Sequence, residues 1–160
     1  MSKKAVEKIY KLKKRGDDKP FIILISSIKD LDLFGVRLMS DTCLTLKKFW
    51  PGPVSVILKC PKIKKEMSYL RPLDKTLAFR CPKGKWLNVL LQKTGPLVAP
   101  SANPEGLPPA QTIKQAKKYF YEKVDFYVDT GIIKGVPSAL IVLKDGSTEI
   151  LRQGKVKIMI

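Results

Sequence analysis

The feature that most constrains this chain is its set of short apolar runs rich in β-branched residues. The longest runs contain five residues and include positions 21–25 and 139–143. A bilayer span requires about 20 apolar residues, so runs of this length predict no membrane crossing. They predict buried β-strands instead, and the 21–25 run predicts a central parallel strand that is buried on both faces.

Helical patterns alternate with these strand patterns along the chain of 160 residues. Ser2 and Thr112 each precede an apolar periodicity typical of a helix, and Pro51 stops a third helix that opens at Ser40. We predict helices over 2–12, 40–50, 86–91 and 112–120, and strands over 21–25, 54–59, 77–79, 97–99, 126–129, 140–143 and 148–152, the last two forming a hairpin around 144–146. This alternation predicts a single α/β domain over 1–160, with a twisted sheet of parallel and antiparallel strands flanked by helices.

The chain is strongly basic and contains no histidine. Lysine and arginine total 31 against 14 acidic residues, which gives a net charge of +17. This charge predicts attraction to polyanions, either nucleic acid or nucleotide phosphates, although a solvated lysine-rich surface would give the same value. Without an imidazole, any chemistry depends on hydroxyls, amides, carboxylates and cations.

Cysteine usage and the first residues indicate a cytoplasmic protein. Cys43, Cys60 and Cys81 are odd in number and lack the spacing of zinc ligands, which favours reduced thiols. The first 14 residues alternate charged with single apolar positions and contain no continuous apolar stretch of the secretory type. We therefore expect a cytoplasmic location and assign no metal-ligating side chains.

Three cations lie close together where the first helix gives way to the first strand. They are Lys13, Arg15 and Lys19. Arginine presents a planar fork to phosphate and lysine supplies a point charge, so such a turn suits a polyphosphate. A basic helix end also offsets the helix macrodipole, so the turn taken alone has a structural explanation as well.

Polar side chains follow or line two of the predicted strands. Ser101 and Asn103 come directly after the 97–99 strand, where open α/β sheets place their ligands. Their hydroxyl and amide can bind phosphate oxygens or hold a hydrated magnesium ion, although turn formation alone would also explain them. Alternation along 76–80 sends Thr76 and Arg80 to one face, which forms either a pocket wall or a polar surface.

Two late segments and one turn complete the pattern. Ser138 lies in a Gly-Val-Pro-Ser-Ala segment, and Arg152 ends the last predicted strand, where it can meet a phosphate or stack on adenine. The Trp-Pro-Gly-Pro turn at 50–53 is distinctive but architectural, since its prolines fix the backbone and its tryptophan supplies apolar surface.

Taken in order, these segments resemble the YrdC family of threonylcarbamoyl-adenylate synthases, called TsaC in bacteria, over residues 5–156. The family's Lys-x-Arg and Ser-x-Asn tetrad corresponds to Lys13, Arg15, Ser101 and Asn103. The resemblance implies a YrdC-like fold and a reaction in which L-threonine, bicarbonate and ATP give threonylcarbamoyl-AMP and pyrophosphate, for threonylcarbamoyladenosine modification of tRNA. It further implies Mg²⁺ and a downstream threonylcarbamoyl-transferase complex as partners.

The same resemblance implies a role for each candidate residue. The tetrad is the implied catalytic set. The implied triphosphate ligands are Lys13, Arg15 and Lys19, the rest of the nucleotide site is Thr76, Ser101, Asn103 and Arg152, and the threonine-facing residues are Arg80 and Ser138.

Three departures from the family pattern bear on these roles. The family opens with a Thr-x-Thr-x-Tyr-Gly segment that forms part of the threonine pocket, and this sequence begins after it. We therefore expect a domain that is N-terminally incomplete relative to the family, either because the sequence is an incomplete product or because the protein is a reduced family member with a compromised threonine site. Lys14 stands where the family has glycine, and Ala139 stands where it has threonine.

Two alternatives remain open from the sequence. The net charge of +17 and the absent opening segment are also consistent with a non-catalytic module that binds double-stranded RNA or tRNA. The other alternative, ranked last, is a carbamoyl-adenylate domain like that of hydrogenase maturation proteins, because those domains belong to much longer chains.

Overall fold

The computed structural model describes residues 1–16, 19–144 and 147–159. Four helices and six strands make up the domain, with three short 3₁₀ helices between them. The helices are α1 (Lys3–Lys13), α2 (Ser40–Phe49), α3 (Lys85–Thr94) and α4 (Ile113–Phe120), and the strands are β1 (Ile22–Leu24), β2 (Val54–Lys59), β3 (Thr76–Arg80), β4 (Leu97–Val98), β5 (Ala139–Lys144) and β6 (Ser147–Arg152). The 3₁₀ helices span Ile28–Phe34, Lys65–Leu70 and Tyr121–Lys123.

The six strands form one mixed sheet in the order β4-β1-β3-β2-β5-β6. β1 runs parallel to β3 and β2 runs parallel to β5. The pairs β1–β4, β2–β3 and β5–β6 are antiparallel. The expected α/β architecture with a mixed sheet is therefore confirmed.

One face of the sheet carries the hydrophobic core. The register aligns Ile23, Phe79, Val56 and Ile141 in a single row across four strands, and each of them is fully buried. Such a row excludes water from the centre of the sheet, and its apolar burial is the main source of stability here.

The other face of the sheet is only partly covered. Ile22 and Leu24 alternate with buried Ile23 along β1 and are half-buried. The expectation that this strand is buried on both faces is therefore wrong, because one of its faces opens into a cleft that is described below.

Local signals set the helix ends. The Ser2 hydroxyl accepts a hydrogen bond from the Ala5 amide at 3.4 Å, and the Thr112 hydroxyl accepts one from the Gln115 amide at 3.2 Å. These two side chains cap the otherwise unpaired amides of α1 and α4. All four helices that the sequence predicts are present in the structure.

A 3₁₀ helix over Ile28–Phe34 was not predicted. Its start is fixed by Asp30, whose carboxylate accepts from the Ser26 amide at 2.7 Å and the Ser27 amide at 3.3 Å. The Ser-x-x-Asp spacing at 27–30 was the available signal, since a serine followed three residues later by an acid is typical of a helix start.

The predicted strand over 126–129 is wrong. These residues form no regular element, and Phe126 and Val128 are 78% and 54% exposed. The Tyr127 hydroxyl donates to the Tyr121 carbonyl, so this segment contacts the start of the preceding 3₁₀ helix. Among the described residues, no strand pairs with it. Apolar alternation produces a strand only where a neighbouring strand supplies the hydrogen bonds.

The late hairpin and the reduced thiols agree with expectation. β5 and β6 pair over 140–152, while positions 145–146 of the predicted turn lie outside the described residues. Cys60 and Cys81 are buried and Cys43 is half-buried, and all three are free. Burial raises the pKa of the Cys60 thiol to about 11. Within the described ranges, no helix is long and apolar enough to cross a membrane.

Candidate functional site

A cleft of about 530 Å³ lies on the sheet face opposite the core. Its walls come from five distant segments of the chain. Its lining residues are Arg15, Pro20, Phe21, Ile22, Leu24, Arg80, Ala99, Pro100, Ser101, Pro109, Gly135, Val136, Pro137, Ser138 and Arg152. Three arginines and two serines thus surround a floor of apolar side chains, which is a composition suited to an anion that carries an apolar group.

The strand register sets the width of this cleft. Arg80 on β3 lies opposite Leu24 on β1, and Arg152 on β6 lies opposite Leu140 on β5. Three strand spacings separate Arg80 from Arg152, or about 14 Å at about 4.8 Å per spacing. The two guanidinium groups therefore approach the cleft from well-separated positions.

A β-bulge turns Arg152 toward the cleft. Ile141 pairs with Ile150, whereas the next pair along is Leu140 with Arg152, so one extra residue lies on β6. In a regular strand Arg152 would share the face of Ile150, which packs against the core. The extra residue reverses that alternation, and bulges commonly redirect side chains in this way beside functional sites.

Two further contacts hold Arg152 in place. Its Nη2 and Nε atoms donate to the Ser138 carbonyl at 3.0 and 3.3 Å. Gly154 permits this approach, because a Cβ there would lie 2.1 Å from the Ala139 amide nitrogen. The hydroxyls of Ser138 and buried Ser55 lie 2.8 Å apart, which fixes the segment from below.

The Trp-Pro-Gly-Pro turn positions Arg80. Arg80 Nε donates to the Gly52 carbonyl at 3.0 Å, while the Gly52 amide donates to the Cys81 carbonyl at 2.8 Å. A side chain at Gly52 would lie 2.2 Å from the Phe49 carbonyl oxygen. Trp50 anchors the turn, being 6% exposed and donating from Nε1 to the Val54 carbonyl at 2.7 Å. Burial lowers the pKa of the Arg80 guanidinium, which stays protonated at neutral pH.

Arg15 reaches the cleft from the turn after α1. Its Nε donates to the Lys19 carbonyl at 2.8 Å, and its guanidinium carbon lies 5.2 Å from the centroid of the Phe21 ring. A guanidinium fixed by its own turn and an aromatic ring loses little conformational entropy when it binds an anion.

Lys13 connects this turn to the Ser101 loop. Its ammonium donates to the Ser101 carbonyl at 2.6 Å, the Asn103 carbonyl at 2.5 Å and the Asn103 side-chain oxygen at 3.2 Å. Lys13 is 4% exposed and does not line the cleft. Burial is the main cause of its lowered pKa, with repulsion from Arg15 second and attraction to Glu105 opposing both. All three of its N–H donors are thus used within the protein.

Glu105 is a residue that the sequence analysis missed. Its carboxylate accepts from Lys19 Nζ at 2.5 Å and from the Gly16 amide at 3.3 Å, and its own amide donates to the Lys13 carbonyl at 2.7 Å. The hydrogen bond from Lys19 is the main cause of its lowered pKa. An acid two residues after Asn103 carries no recognisable signal in the sequence.

The structure brings together five of the nine candidate residues at the cleft: Arg15, Arg80, Ser101, Ser138 and Arg152. Asn103 lies behind Ser101, whose hydroxyl donates to the Asn103 side-chain oxygen at 2.6 Å. Lys19 is engaged by Glu105, and Lys13 is engaged by the Ser101 loop. Asn103, Lys19 and Lys13 thus lie beside the cleft without lining it, and their roles stay predictions.

Thr76 is the candidate that lies apart. It begins β3, four residues before Arg80, which places it about 13 Å away at about 3.3 Å per residue. Its hydroxyl donates to the Leu73 carbonyl at 2.6 Å, and it does not line the cleft. Alternation places both residues on one face, but their spacing of four residues along the strand leaves Thr76 outside the cleft.

The oxygen donors beside the cleft are a hydroxyl and an amide. The described residues contain no cluster of three His, Cys, Asp or Glu side chains able to hold a metal ion. Mg²⁺ commonly retains several waters and binds through substrate phosphates and one or two protein oxygens. The Ser101 hydroxyl oxygen fits that mode, whereas the Asn103 side-chain oxygen already accepts hydrogen bonds from Lys13 and Ser101.

Comparison with known proteins identifies the family. The model of the Sua5/YciO/YrdC family, described as telomere recombination, matches residues 1–154. The chain belongs to this family. Relatives of the Sua5/YciO/YrdC domain include threonylcarbamoyl-AMP synthases, so the resemblance drawn from the tetrad and the Trp-Pro-Gly-Pro turn is confirmed at the family level.

Two curated relatives show how much of the family protein this chain represents. The threonylcarbamoyl-AMP synthase of Pyrococcus abyssi is 30% identical over 156 residues, which cover 96% of this chain and 45% of that protein. The enzyme of the same name from Nitrosococcus oceani is 34% identical over 147 residues, which cover 91% of this chain and 77% of that protein. The chain thus spans less than half of the first relative and about three quarters of the second.

A solved structure extends the likeness to three dimensions. The P. abyssi Sua5 protein complexed with L-threonine is 30% identical, with a TM-score of 0.80 over 94% of this chain and 44% of that one. The fold of this chain is therefore shared with part of that protein, which was solved in complex with L-threonine.

Proposed function

We propose that this chain is an L-threonylcarbamoyladenylate synthase, which forms threonylcarbamoyl-AMP and pyrophosphate from L-threonine, bicarbonate and ATP. The observation that carries the proposal is the convergence of Arg15, Ser101 and Arg152, three residues from distant segments, on one cleft of about 530 Å³. Kinship with proteins named threonylcarbamoyl-AMP synthase supports the choice of reaction. The product serves threonylcarbamoyladenosine modification of tRNA through a separate transferase complex.

The reaction needs positioning and charge neutralisation more than covalent side-chain chemistry. The threonine amine bonds to the carbon of bicarbonate with loss of water, and an oxygen of the resulting carbamate attacks the α-phosphorus of ATP. The bond between that phosphorus and the bridging oxygen to the β-phosphate breaks, and pyrophosphate leaves. Fixed cations stabilise the charge that develops on the phosphoryl oxygens and the leaving group. The absence of histidine is no obstacle to such a step.

Each side chain at the cleft has a place in this scheme. Arg15 binds the triphosphate from the cleft wall, and Lys19, which lies beside the cleft in its ion pair with Glu105, adds positive charge there. Ser101 and Arg152 complete the nucleotide site, and Ser138 faces threonine. Arg80 meets the threonine carboxylate, since its guanidinium is fixed by Gly52 and half-buried beside the apolar floor.

Lys13 and Asn103 act as positioning residues in this scheme. The Lys13 ammonium holds the Ser101 loop against the basic turn through three hydrogen bonds. The Asn103 side-chain oxygen accepts from both Lys13 and Ser101, and so orients the Ser101 hydroxyl. When Mg²⁺ is bound with ATP, it would neutralise phosphate charge, with the Ser101 hydroxyl as its protein neighbour and Asn103 orienting that hydroxyl.

The test is release of pyrophosphate from ATP under four conditions: with threonine and bicarbonate, with each alone, and with neither. The proposal expects release only when both are present. Cleavage of ATP that is indifferent to threonine would contradict it, as would the absence of threonylcarbamoyl-AMP by mass spectrometry when pyrophosphate does appear.

A matched pair of variants separates the threonine role of Arg80 from general charge effects. Arg80→Gln removes the guanidinium that faces the cleft, and Arg37→Gln removes an exposed one that does not line it. We expect Arg80→Gln to raise the KM for threonine by about tenfold or more, because a charged hydrogen bond to a carboxylate is lost. Arg37→Gln is expected to leave that KM unchanged.

A further inference from the structure

Arg15 borders a second cleft besides the one described above. This neighbouring cleft of about 480 Å³ is formed by α1 and by the residue that follows the 3₁₀ helix Lys65–Leu70. Its other lining residues are Glu7, Tyr10, Lys11, Lys14 and Arg71. The two clefts therefore meet at a single guanidinium.

The second cleft is electropositive. Among the described residues, four cations line it, Lys11, Lys14, Arg15 and Arg71, together with the carboxylate of Glu7. That carboxylate lies 3.9 Å from the Lys3 ammonium on the same helix, so part of its charge is already balanced. A concave site with this excess of positive charge attracts small anions of high charge.

A stack of side chains fixes its two guanidinium groups. Arg71 lies over the Tyr10 ring at 3.6 Å, and the rings of Tyr10 and Phe21 are 4.2 Å apart. Arg15 lies over the Phe21 ring at 5.2 Å on the side of the first cleft. The order is thus Arg71, Tyr10, Phe21, Arg15, with the two aromatic rings buried between the cations.

The backbone adds to this preorganisation. Arg71 ends its 3₁₀ helix with φ of 55°, and Lys14 ends α1 with φ of 52°. Residues other than glycine rarely adopt this left-handed backbone conformation, and residues with such backbone strain occur often at functional sites. Lys14 and Arg71 are two of the non-glycine residues at positive φ, and both line the second cleft.

We propose that the second cleft binds inorganic pyrophosphate, as an exit site for the leaving group of the reaction. The proposal rests on the proposed function, in which Arg15 binds the triphosphate at the end of the first cleft. A diphosphate released there is already in contact with Arg15, and Lys11, Lys14 and Arg71 lie immediately beyond it. The four cations line one concave surface, which suits a small anion that presents phosphate oxygens at both ends.

The experiment is a titration of the isotopically labelled chain with magnesium pyrophosphate, followed by backbone amide NMR shifts. It is run with and without saturating non-hydrolysable ATP analogue, which occupies the first cleft. With the analogue present, we expect pyrophosphate still to shift the amides of residues 11–14 and 71. In Lys11→Gln/Lys14→Gln, we expect the affinity at this second site to fall by about tenfold or more, because hydrogen bonds to charged groups are lost.

The control is Lys47→Gln/Lys48→Gln, which removes the same charge from α2. An equal loss of affinity in this control would show general Coulomb attraction and would overturn the proposal. Shifts confined to the 101–103 loop would also overturn it, as would a site that responds to tRNA and ignores pyrophosphate.

These readouts are independent of turnover. A chain that makes no threonylcarbamoyl-AMP but binds pyrophosphate at residues 11–14 and 71 refutes the proposed function and leaves the anion site standing. A chain that turns over normally without that binding refutes the exit site alone.

Discussion

The sharpest stability test is replacement of Lys13 by methionine, which keeps an unbranched apolar stem of similar length and removes the ammonium. Two of the hydrogen bonds lost are short, at 2.6 and 2.5 Å, and join the end of α1 to the Ser101 loop. Hydrogen bonds to charged groups contribute about 1.5 kcal/mol or more each. The third acceptor, the Asn103 side-chain oxygen, keeps its donor from Ser101 and adds little. Burial of the ammonium offsets part of the sum, so we expect Lys13→Met to cost about 2–3 kcal/mol.

Urea unfolding of Lys13→Met beside Lys11→Met measures this cost. Lys11 lies on the same helix but is exposed, so its replacement is expected to change the stability by less than about 0.5 kcal/mol. Amide hydrogen exchange over 101–105 reports the loop directly, and we expect faster exchange only in Lys13→Met. If the two variants lose the same stability and exchange alike, the Lys13 ammonium does not hold the loop and the reasoning fails.

Three further predictions concern single residues. Lys14→Gly should raise the free energy of unfolding, measured in urea, by about 0.5–1 kcal/mol, because Lys14 has a φ of 52° that glycine adopts freely. The control Lys11→Gly, inside α1, should lower that free energy by about as much. Glu105→Gln should have a lower free energy of unfolding than the parent chain at pH 7. This difference should close as the pH falls below 4.5, because the folded pKa of Glu105 is lowered and its contribution is lost on protonation. A difference in stability that is independent of pH would contradict this. Gly154→Ala should cost about 1–3 kcal/mol and loosen Arg152, because its Cβ would lie 2.1 Å from the Ala139 nitrogen; an unchanged urea midpoint would refute the close approach.

The sequence predicted those elements whose signals are local. Caps at Ser2 and Thr112 and the stop at Pro51 identified helices because each acts through its own neighbours. The strand at 54–59 was predicted with its observed bounds, since its apolar run is bounded by Pro53.

Features that depend on distant contacts could not be predicted. The 126–129 segment has a strand-like composition, but no sheet edge reaches it. The face on which Arg152 lies depends on a bulge in β6, which reverses the alternation that a sequence pattern assumes.

The candidate site likewise has features that the sequence predicted and features that depend on distant contacts. The motif residues Arg15, Ser101 and Arg152 were predicted to meet and they line one cleft. That the Lys13 ammonium bonds to the Ser101 loop, and that Glu105 binds Lys19, depends on side-chain directions across more than 80 residues of chain. No spacing rule along one strand or helix carries that information.

The most direct test of a shared nucleotide site is calorimetric titration of ATP into the parent chain and into Arg15→Gln, Ser101→Ala and Arg152→Gln, with Arg37→Gln as the control. These three replacements come from three distant segments that meet at the cleft, whereas Arg37 is exposed elsewhere. We predict that each of the three weakens ATP binding by about tenfold or more and that Arg37→Gln leaves it within about twofold. A parent chain that does not bind ATP, or an equal effect of Arg37→Gln, would contradict the assignment of this cleft to the nucleotide.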